Sequence, residues 1–419
     1  MKNLKKILFF LFSLFFFVSC SVLTRYIKYG DEDIDDYQIF PKYEFKENSQ
    51  KFTFKTSNSK QLDSLESLLE KTSTRAFVVI KNDSILFEKY FRNYKRDDIS
   101  TVFSVSKSIT SLLIGIALDE GYIKSTDEPV TNYIKELESA NPAFTKLTIK
   151  HLLDMRSGIK FDENSRKIFS PVASLYYGKD QLNVIKKLSF EANPGTKHKY
   201  QSVSTAILGI VLERAVGKNL AQYFEEKVWI PLGMENNGSW SLDTKHGSAK
   251  AFSGLNLSAI DLAKIGKVYV NNGKFESKQI VSASWITESL TPNISNNGYQ
   301  NQWYSDFGAV RDEMQNRYFK DSTTLINIWK DKYQKVYPLF SLSKISPKGY
   351  RKWYIEKYLW PDENEYRWMM DVYTGQFYAL GIFKQLLYLD PEKKIIIVRL
   401  GDNNDYEYEL LMHKIARSL

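Results

Sequence analysis

Phe103-Ser104-Val105-Ser106-Lys107-Ser108-Ile109-Thr110-Ser111-Leu112-Leu113-Ile114-Gly115-Ile116-Ala117-Leu118-Asp119-Glu120-Gly121 is the stretch from which the rest of the chain can be read. It predicts a turn opening into a nearly all-apolar helix that stops at Gly121, because glycine just past the last periodic residue is the usual helix end. A helix apolar on most faces belongs in the middle of a domain. Ser104 falls in the first turn and Lys107 three residues on, a spacing that shares a helix face. The lysine amine therefore reaches the serine hydroxyl. A hydroxyl becomes a useful nucleophile when a neighbouring base takes its proton, and a lysine serves as that base where burial or nearby positive charge favours its neutral form. Backbone N–H groups at the helix start favour negative charge beside Ser104.

The Ser-x-x-Lys spacing occurs twice more, at Ser57-Asn58-Ser59-Lys60 and Ser341-Leu342-Ser343-Lys344. An isolated match is usually a surface serine near a solvated lysine, and context separates the three. The segment after Lys60 sets Leu62, Leu65, Leu68 and Leu69 against Asp63, Glu66 and Glu70, an amphipathic surface helix. Ser341 is soon followed by Pro347 and Gly349. Only Ser104 leads into a helix that a domain would bury.

The chain has 419 residues, 43% hydrophobic and 26% charged, a globular composition with room for one large or two ordinary domains. Residues 1–19 read as a signal peptide. Lys2, Lys5 and Lys6 precede an apolar run from Ile7 to Val18 that is short for a membrane span, and Ser19-Cys20 follows. Cys20 is the sole cysteine. Its place at the end of the apolar run resembles the lipobox of bacterial lipoproteins. The expectation is an exported lipoprotein, anchored to the membrane through Cys20 on the periplasmic or cell-surface side. No disulfide can form within the mature chain, so stability must come from its core. The formal net charge is +9, but three of those lysines lie in the leader. No basic cluster with interleaved aromatics points to nucleic acid. His151, His198, His246 and His413 lack metal-ligand spacing, and no Gly-rich phosphate loop is present, so no metal or cofactor is expected. The oligomeric state is left open.

Residues 20–50 are polar and acidic (Asp31-Glu32-Asp33-Ile34-Asp35-Asp36) and read as a tether to a domain over 51–419. Arg75–Ile80 and Ile85–Phe91, joined across Asn82-Asp83, read as a β-hairpin. Residues from about 125 to 250 read as mainly helical. Helices are expected after Thr148, from Ser202 to Ala215 with a stop at Gly217, after Ser258, and from Ser282. The span from about 304 to 373 is crowded with aromatics, including Trp329, Tyr333, Tyr337, Phe340, Trp353, Tyr354, Tyr358, Trp360 and Trp368, and reads as an insertion ordered by aromatic packing. It is equally well a structural brace or a wall of the substrate site. Phe377–Leu389 and Ile395–Leu400 read as strands, with a last helix from about Tyr406. The fold class is thus α/β (α+β): an antiparallel sheet, shared by N- and C-terminal strands, flanked by helices and interrupted by the helical region.

Two further pieces suit a serine nucleophile. Pro194-Gly195-Thr196-Lys197-His198-Lys199-Tyr200 puts a phenol at the end of a basic loop, where positive charge would favour its phenolate and let it shuttle a proton. The commoner fate of such a tyrosine is simply to cap a loop. Gly381, in Ala379-Leu380-Gly381-Ile382, lets a substrate approach the backbone, and the N–H groups of Ile382 and Ser104 are candidate oxyanion donors.

In this order the pieces resemble the class C β-lactamase, DD-peptidase and esterase superfamily. The resemblance runs through Ser104-x-x-Lys107, Leu147-Thr148-Ile149-x-His151-Leu152-Leu153 with Ser157-Gly158, Pro194-Gly195 with Tyr200-x-Ser202, and Ser253-Gly254-Leu255 with Asp261-Leu262-Ala263. Gly298-Tyr299-Gln300 with Trp303, and Phe377-x-Ala379-x-Gly381-Ile382-x-x-Gln385, resemble its 6-aminohexanoate-dimer hydrolase branch. The resemblance implies that Ser104 is acylated, Lys107 is its base partner and Tyr200 the acid/base, with Ser202, Gly381 and Gln385 near the substrate. Two departures stand out. Ala379 occupies the place of the family's cationic or imidazole side chain, and Lys384 that of a second glycine. The expected function is a serine hydrolase acting on an ester or linear amide of a small-molecule or peptide-like substrate. A DD-peptidase or β-lactamase, and a catalytically silent binding protein, are the alternatives.

Overall fold

The computed structural model describes residues 21–57, 59–164, 170–306, 321–332, 334–335, 340–345, 367–404 and 406–419. Period-two hydrophobic alternation builds its main sheet. In the strand Thr74–Lys81, Ala76, Val78 and Ile80 join one core cluster and Phe77 and Val79 join another, all five fully buried. A strand buried on both faces needs a layer against each. One layer consists of the helices Val105–Asp119 and Ala259–Val270, the other of Leu65–Lys71 and Tyr408–Ser418. Glycine lets one helix come close: a Cβ at Gly266 would lie 2.8 Å from the Ile396 side chain.

The sheet has seven described strands, in the order Tyr304–Ser305, Phe377–Gly381, Gln385–Asp390, Ile395–Gly401, Thr74–Lys81, Ser84–Tyr90 and Lys55–Thr56. Every neighbouring pair is antiparallel except the last. Ile397 sits opposite Val79, so the two ends of the chain share the sheet. The first hairpin turns through Asn82 and Asp83 at φ +48° and +61°, a left-handed conformation these residues tolerate. This is the α/β (α+β) architecture expected, with a mainly helical region inserted between the strands. There Thr148 caps Ile149–Leu153, and Ser202–Val216 ends at Gly217 with φ +67°. Gln302, buried, ties three helices together. It accepts from Thr205 at 2.6 Å, donates to the carbonyls of Leu152 and Leu153, and offers its own carbonyl to Ser108 Oγ at 2.7 Å.

Three expectations are corrected. The 20–50 stretch is more than a tether: Ser21–Tyr29 is a helix, and Ile34, Phe40 and Phe45 are buried in the main core. Lys42–Phe45 pairs with Gly238–Ser241 in a second sheet, which continues through Leu255–Leu257 to Ser100–Thr101. The acidic residues hid three widely spaced apolar anchors. Phe377–Leu389 is two strands, since the chain reverses through Ile382–Lys384 and sets Gly381 opposite Gln385. Uniform β-propensity carries no mark of that reversal. Finally, Tyr304–Ser305 is an edge strand of the main sheet, so the insertion begins later than expected. Its described part is a helix, Ser322–Lys332, on an antiparallel pair of strands, Phe340–Ile345 and Arg367–Val372, with Leu325, Trp329, Met370 and Val372 as a small core. Trp329 meets Phe340 at 4.5 Å between centroids. Tyr333, Tyr337, Trp353, Tyr354, Tyr358 and Trp360 lie outside the described residues, as do residues 1–19, expected to be a signal peptide, and Cys20.

If the N-terminal arm belongs to the fold, Phe45→Ala removes a ring packed on Phe224 and Trp229. Urea denaturation should then show a loss of about 3–5 kcal/mol. A loss below about 1 kcal/mol would restore the tether.

Candidate active site

Ser104 is the N-cap of the Val105–Asp119 helix, and Lys107 lies one turn in, 1% exposed. Lys107 Nζ donates to Ser104 Oγ at 2.7 Å and to the carbonyl of Phe252 at 2.9 Å. Its third direction faces Tyr200, with Nζ 5.2 Å from the ring centroid. The three residues expected to act together are therefore gathered around one amine. Phe103, just before Ser104, has φ +46° although it is bulky and fully buried. Such a conformation costs free energy and persists where the surroundings impose it. Here its ring packs edge-on against Phe383 at 5.7 Å.

Tyr200 is held by its neighbours. Lys199 N–H donates to the Met155 carbonyl at 2.8 Å, and Gln201 N–H to Met155 Sδ at 3.4 Å. The Gln201 amide is clamped between Ser157 Oγ at 3.0 Å and the Ile159 carbonyl at 2.9 Å, which gives the Ser157-Gly158 pair a structural reason. The basic loop does not supply the expected positive field. Lys199 is paired with Glu191 at 2.6 Å, and Lys197 is exposed. Burial, and then Arg156, lowers the pKa of His198, so it is neutral near pH 7. The amine set against the Tyr200 ring is that of Lys107.

Sequence reasoning missed the other side of Tyr200. Tyr304 stacks on it at 6.2 Å, Tyr299 meets it edge-on at 6.3 Å, and Tyr378 stacks behind Tyr304 at 5.2 Å. Burial pushes the phenols of Tyr299 and Tyr304 well above their ordinary range, so both stay protonated. The available signal was Trp303-Tyr304 following Gly298-Tyr299, which reads as a buried edge once Trp303 is taken as core.

The turn that carries Ile382, an expected oxyanion donor, abuts Ser104. A Cβ on Gly381 would collide with the Val102 carbonyl oxygen and lie 3.2 Å from Ser104 N, so only glycine brings this strand end in so close. Ile382 follows, 38% exposed. The turn then passes through two left-handed non-glycine residues, Phe383 at φ +60° and Lys384 at φ +58°. Ala379 is buried opposite Leu387 and carries no polar group. Lys384 reaches Glu409 at 2.5 Å instead of the Ala379 position.

Two residues expected near a substrate are engaged elsewhere. The Gln385 amide donates to the Gly401 carbonyl at 2.6 Å and accepts from Gly401 N–H at 3.1 Å, fully buried. The reversal at 382–384 sends it away from the turn that Gly381 presents. Ser202 donates its hydroxyl to Glu163, whose other carboxylate oxygen accepts Ser202 N–H at 2.9 Å, so the pair caps the Ser202–Val216 helix. A second buried amine, Lys250, has its pKa lowered to about 7 by burial, but it donates to the Tyr176 carbonyl and lies 4.6 Å over the Phe40 ring, on the N-terminal arm. Ser57, of the second Ser-x-x-Lys match, is exposed. Among the described residues no group of His, Cys, Asp and Glu is placed to hold a metal.

This geometry can be set beside known proteins. The family model described as Beta-lactamase matches residues 63–307, more than half of the chain. The 6-aminohexanoate-dimer hydrolase of Paenarthrobacter ureafaciens is 26% identical over 268 residues, covering 58% of this chain and 67% of that protein. The D-alanyl-D-alanine-carboxypeptidase/endopeptidase AmpH of Escherichia coli (strain K12) is 25% identical over 170 residues, covering 38% of this chain and only 44% of that protein. The solved structure described as "Putative 6-aminohexanoate-dimer hydrolase from Bacillus anthracis" superposes with a TM-score of 0.67 at 22% identity, over 92% of this chain and 90% of the other, a likeness of fold. With the match across residues 63–307 and a lysine amine on a serine hydroxyl at a buried helix start, the chain belongs to the Beta-lactamase family of serine hydrolases.

Proposed function

We propose that this protein is an exported, lipid-anchored serine hydrolase that forms an acyl-enzyme on Ser104 and hydrolyses a neutral ester or linear amide. The 2.7 Å contact between Lys107 Nζ and Ser104 Oγ carries the reading. With the amine neutral and the donor role exchanged, so that Oγ donates to Nζ, the Ser104 proton passes to Nζ as Oγ bonds to the substrate carbonyl carbon, and the carbonyl electron pair moves onto oxygen. The N–H groups of Ser104 and Ile382 receive that oxyanion, each donor of this type supporting about 3–4 kcal/mol of barrier lowering. Collapse breaks the bond to the leaving group, which takes a proton by way of Tyr200. Water then attacks the acyl carbon, gives its proton back through the same pair, and Ser104 leaves as the hydroxyl.

Substrate preference rests on Ala379. In relatives with a cation or imidazole there, a substrate carboxylate gains a charge-assisted hydrogen bond of about 1.5–3 kcal/mol. Ala379 has none to offer, and Lys384 is paired with Glu409. The 6-aminohexanoate-dimer hydrolase relative, named for a linear amide, supports the amide part of this reading; that dimer keeps one carboxylate, so neutrality rests on Ala379 alone. The carboxypeptidase/endopeptidase relative keeps a peptide substrate as the rival.

Fluorophosphonate labelling should place the adduct on Ser104. Ser104→Ala should abolish it with the fold intact, and Lys107→Ala should slow it by about 10²-fold or more. An adduct mapped by mass spectrometry to Ser57, Ser341 or no serine would reject the nucleophile. For substrate class, kcat/KM for p-nitrophenyl butyrate should exceed that for nitrocefin and for a D-Ala-D-Ala peptide, the absent contact costing the latter roughly ten- to more than a hundredfold. Faster turnover of either carboxylate-bearing substrate would favour the peptidoglycan reading. Among the described residues no helix is long and apolar enough to cross a membrane. In this reading attachment is by acylation at Cys20, where each buried CH₂ contributes about 0.8 kcal/mol. Cys20→Ser should move the protein from the membrane to the soluble fraction. Wild-type protein already soluble after export would sink the anchor.

A further inference from the structure

Arg399 sits in the strand Ile395–Gly401 with no solvent exposure and takes part in neither proton transfer nor any expected substrate contact. Its guanidinium reaches in two directions. Toward the oxyanion turn, Nη1 donates to the carbonyls of Phe383 at 2.7 Å and Lys384 at 3.0 Å. Toward the start of the first long strand, Nε donates to Thr74 Oγ1 at 3.2 Å and Nη2 to the carbonyls of Thr72 and Ser73 at 3.2 and 3.3 Å. The Tyr408 ring covers it at 3.6 Å. Phe383 and Lys384 are the two consecutive left-handed residues of the turn, a conformation that persists only where its surroundings hold it.

We propose that Arg399 is the positioning residue of the oxyanion hole: it clamps the carbonyls of the strained 383–384 turn and so aims the Ile382 N–H at the oxygen of a substrate acylating Ser104. The assignment rests on the serine-hydrolase reading above. Three observations join the clamp to the site. Gly381 lies against Ser104 N, the Gln385 N–H closes the turn onto the Ile382 carbonyl, and the Phe383 ring packs on Phe103, the residue before the nucleophile. A planar guanidinium with a fork of donors spans two adjacent carbonyls and a second chain segment at once; a lysine amine offers a point charge without that geometry. The Lys384–Glu409 pair holds the same turn from outside. Gly401 borders the guanidinium so closely that a Cβ there would overlap it.

Two variants of the full mature protein test this. Arg399→Lys keeps the charge and removes the fork. Gly401→Ala removes no group but pushes the guanidinium off its partners. Each should lower kcat/KM for p-nitrophenyl acetate by about ten- to a hundredfold, since misplacing one oxyanion donor forfeits much of its effect. The decisive readout is inhibition by a boronic acid, whose tetrahedral adduct on serine presents an anionic oxygen. Its Ki should rise by the same factor as kcat/KM falls, with KM within about twofold of wild type. A folded Gly401→Ala enzyme with kcat/KM within about threefold of wild type would overturn the assignment, as would a fall in kcat/KM with the boronate Ki unchanged. If Arg399→Lys is insoluble, Gly401→Ala decides alone. Wild-type enzyme that no fluorophosphonate labels on Ser104 would reject the underlying serine-hydrolase reading, a result separable from either of these.

Discussion

An amine with almost no access to water stands where three parts of the chain meet. Taking a charged or strongly polar group out of water costs several kcal/mol unless its donors are satisfied. Lys107 is satisfied by Ser104 from its own helix, by the Phe252 carbonyl from the segment leading into the second sheet, and by the face of Tyr200 at the start of the Ser202–Val216 helix. Remove any one and a buried donor is left facing apolar surroundings. The site and the seam between the sheet layer and the helical region therefore depend on the same group.

Around that amine the two halves divide the work. The sheet side brings Ser104 and the 382–384 turn together through Gly381 against Ser104 N, with Arg399 behind the turn. The helical side brings Tyr200, held by Met155 and Gln201, and the protonated tyrosines beside it. Gln302 braces the helices that carry these pieces. The left-handed backbone at Phe103, Phe383 and Lys384 falls where the Ser104 segment meets the 382–384 turn, as expected where backbone N–H groups are aimed at one point and not spent on regular pairing.

The residues around Ala379 show how a side chain's chemistry and its placement separate. That Ala379 carries no cation was plain from its identity. That Lys384 does not replace it came from the fold: the chain reverses at 382–384, and Glu409 from the last helix takes the amine. Were 377–389 one continuous strand, the five-residue offset would set Lys384 and Ala379 on opposite faces, a reason that the reversal removes. Ser202 and Gln385 make the complementary point, since each occupies a position that a resemblance associates with substrate and each is held by a partner far away in sequence, Glu163 or Gly401.

What the sequence by itself determined was everything written in local periodicity and short spacing. That includes the buried Val105–Asp119 helix, the Ser104–Lys107 pair three residues apart, the Asn82-Asp83 hairpin, the capped helices at Thr148, Ser258 and Ser282, and a sheet shared by both ends of the chain. These follow from hydrogen bonds and hydrophobic faces that repeat over a few residues. Only the tertiary structure decided the rest. Ile34, Phe40 and Phe45 anchor an acidic arm whose composition argued for a tether. Tyr304 and Tyr299 wall the phenol of Tyr200 from about a hundred residues downstream. Arg399 holds a turn fifteen and sixteen residues before it in the chain but one strand away in space. Such contacts have no period and no spacing in the chain, because burial rewards proximity in space whatever the separation along the backbone.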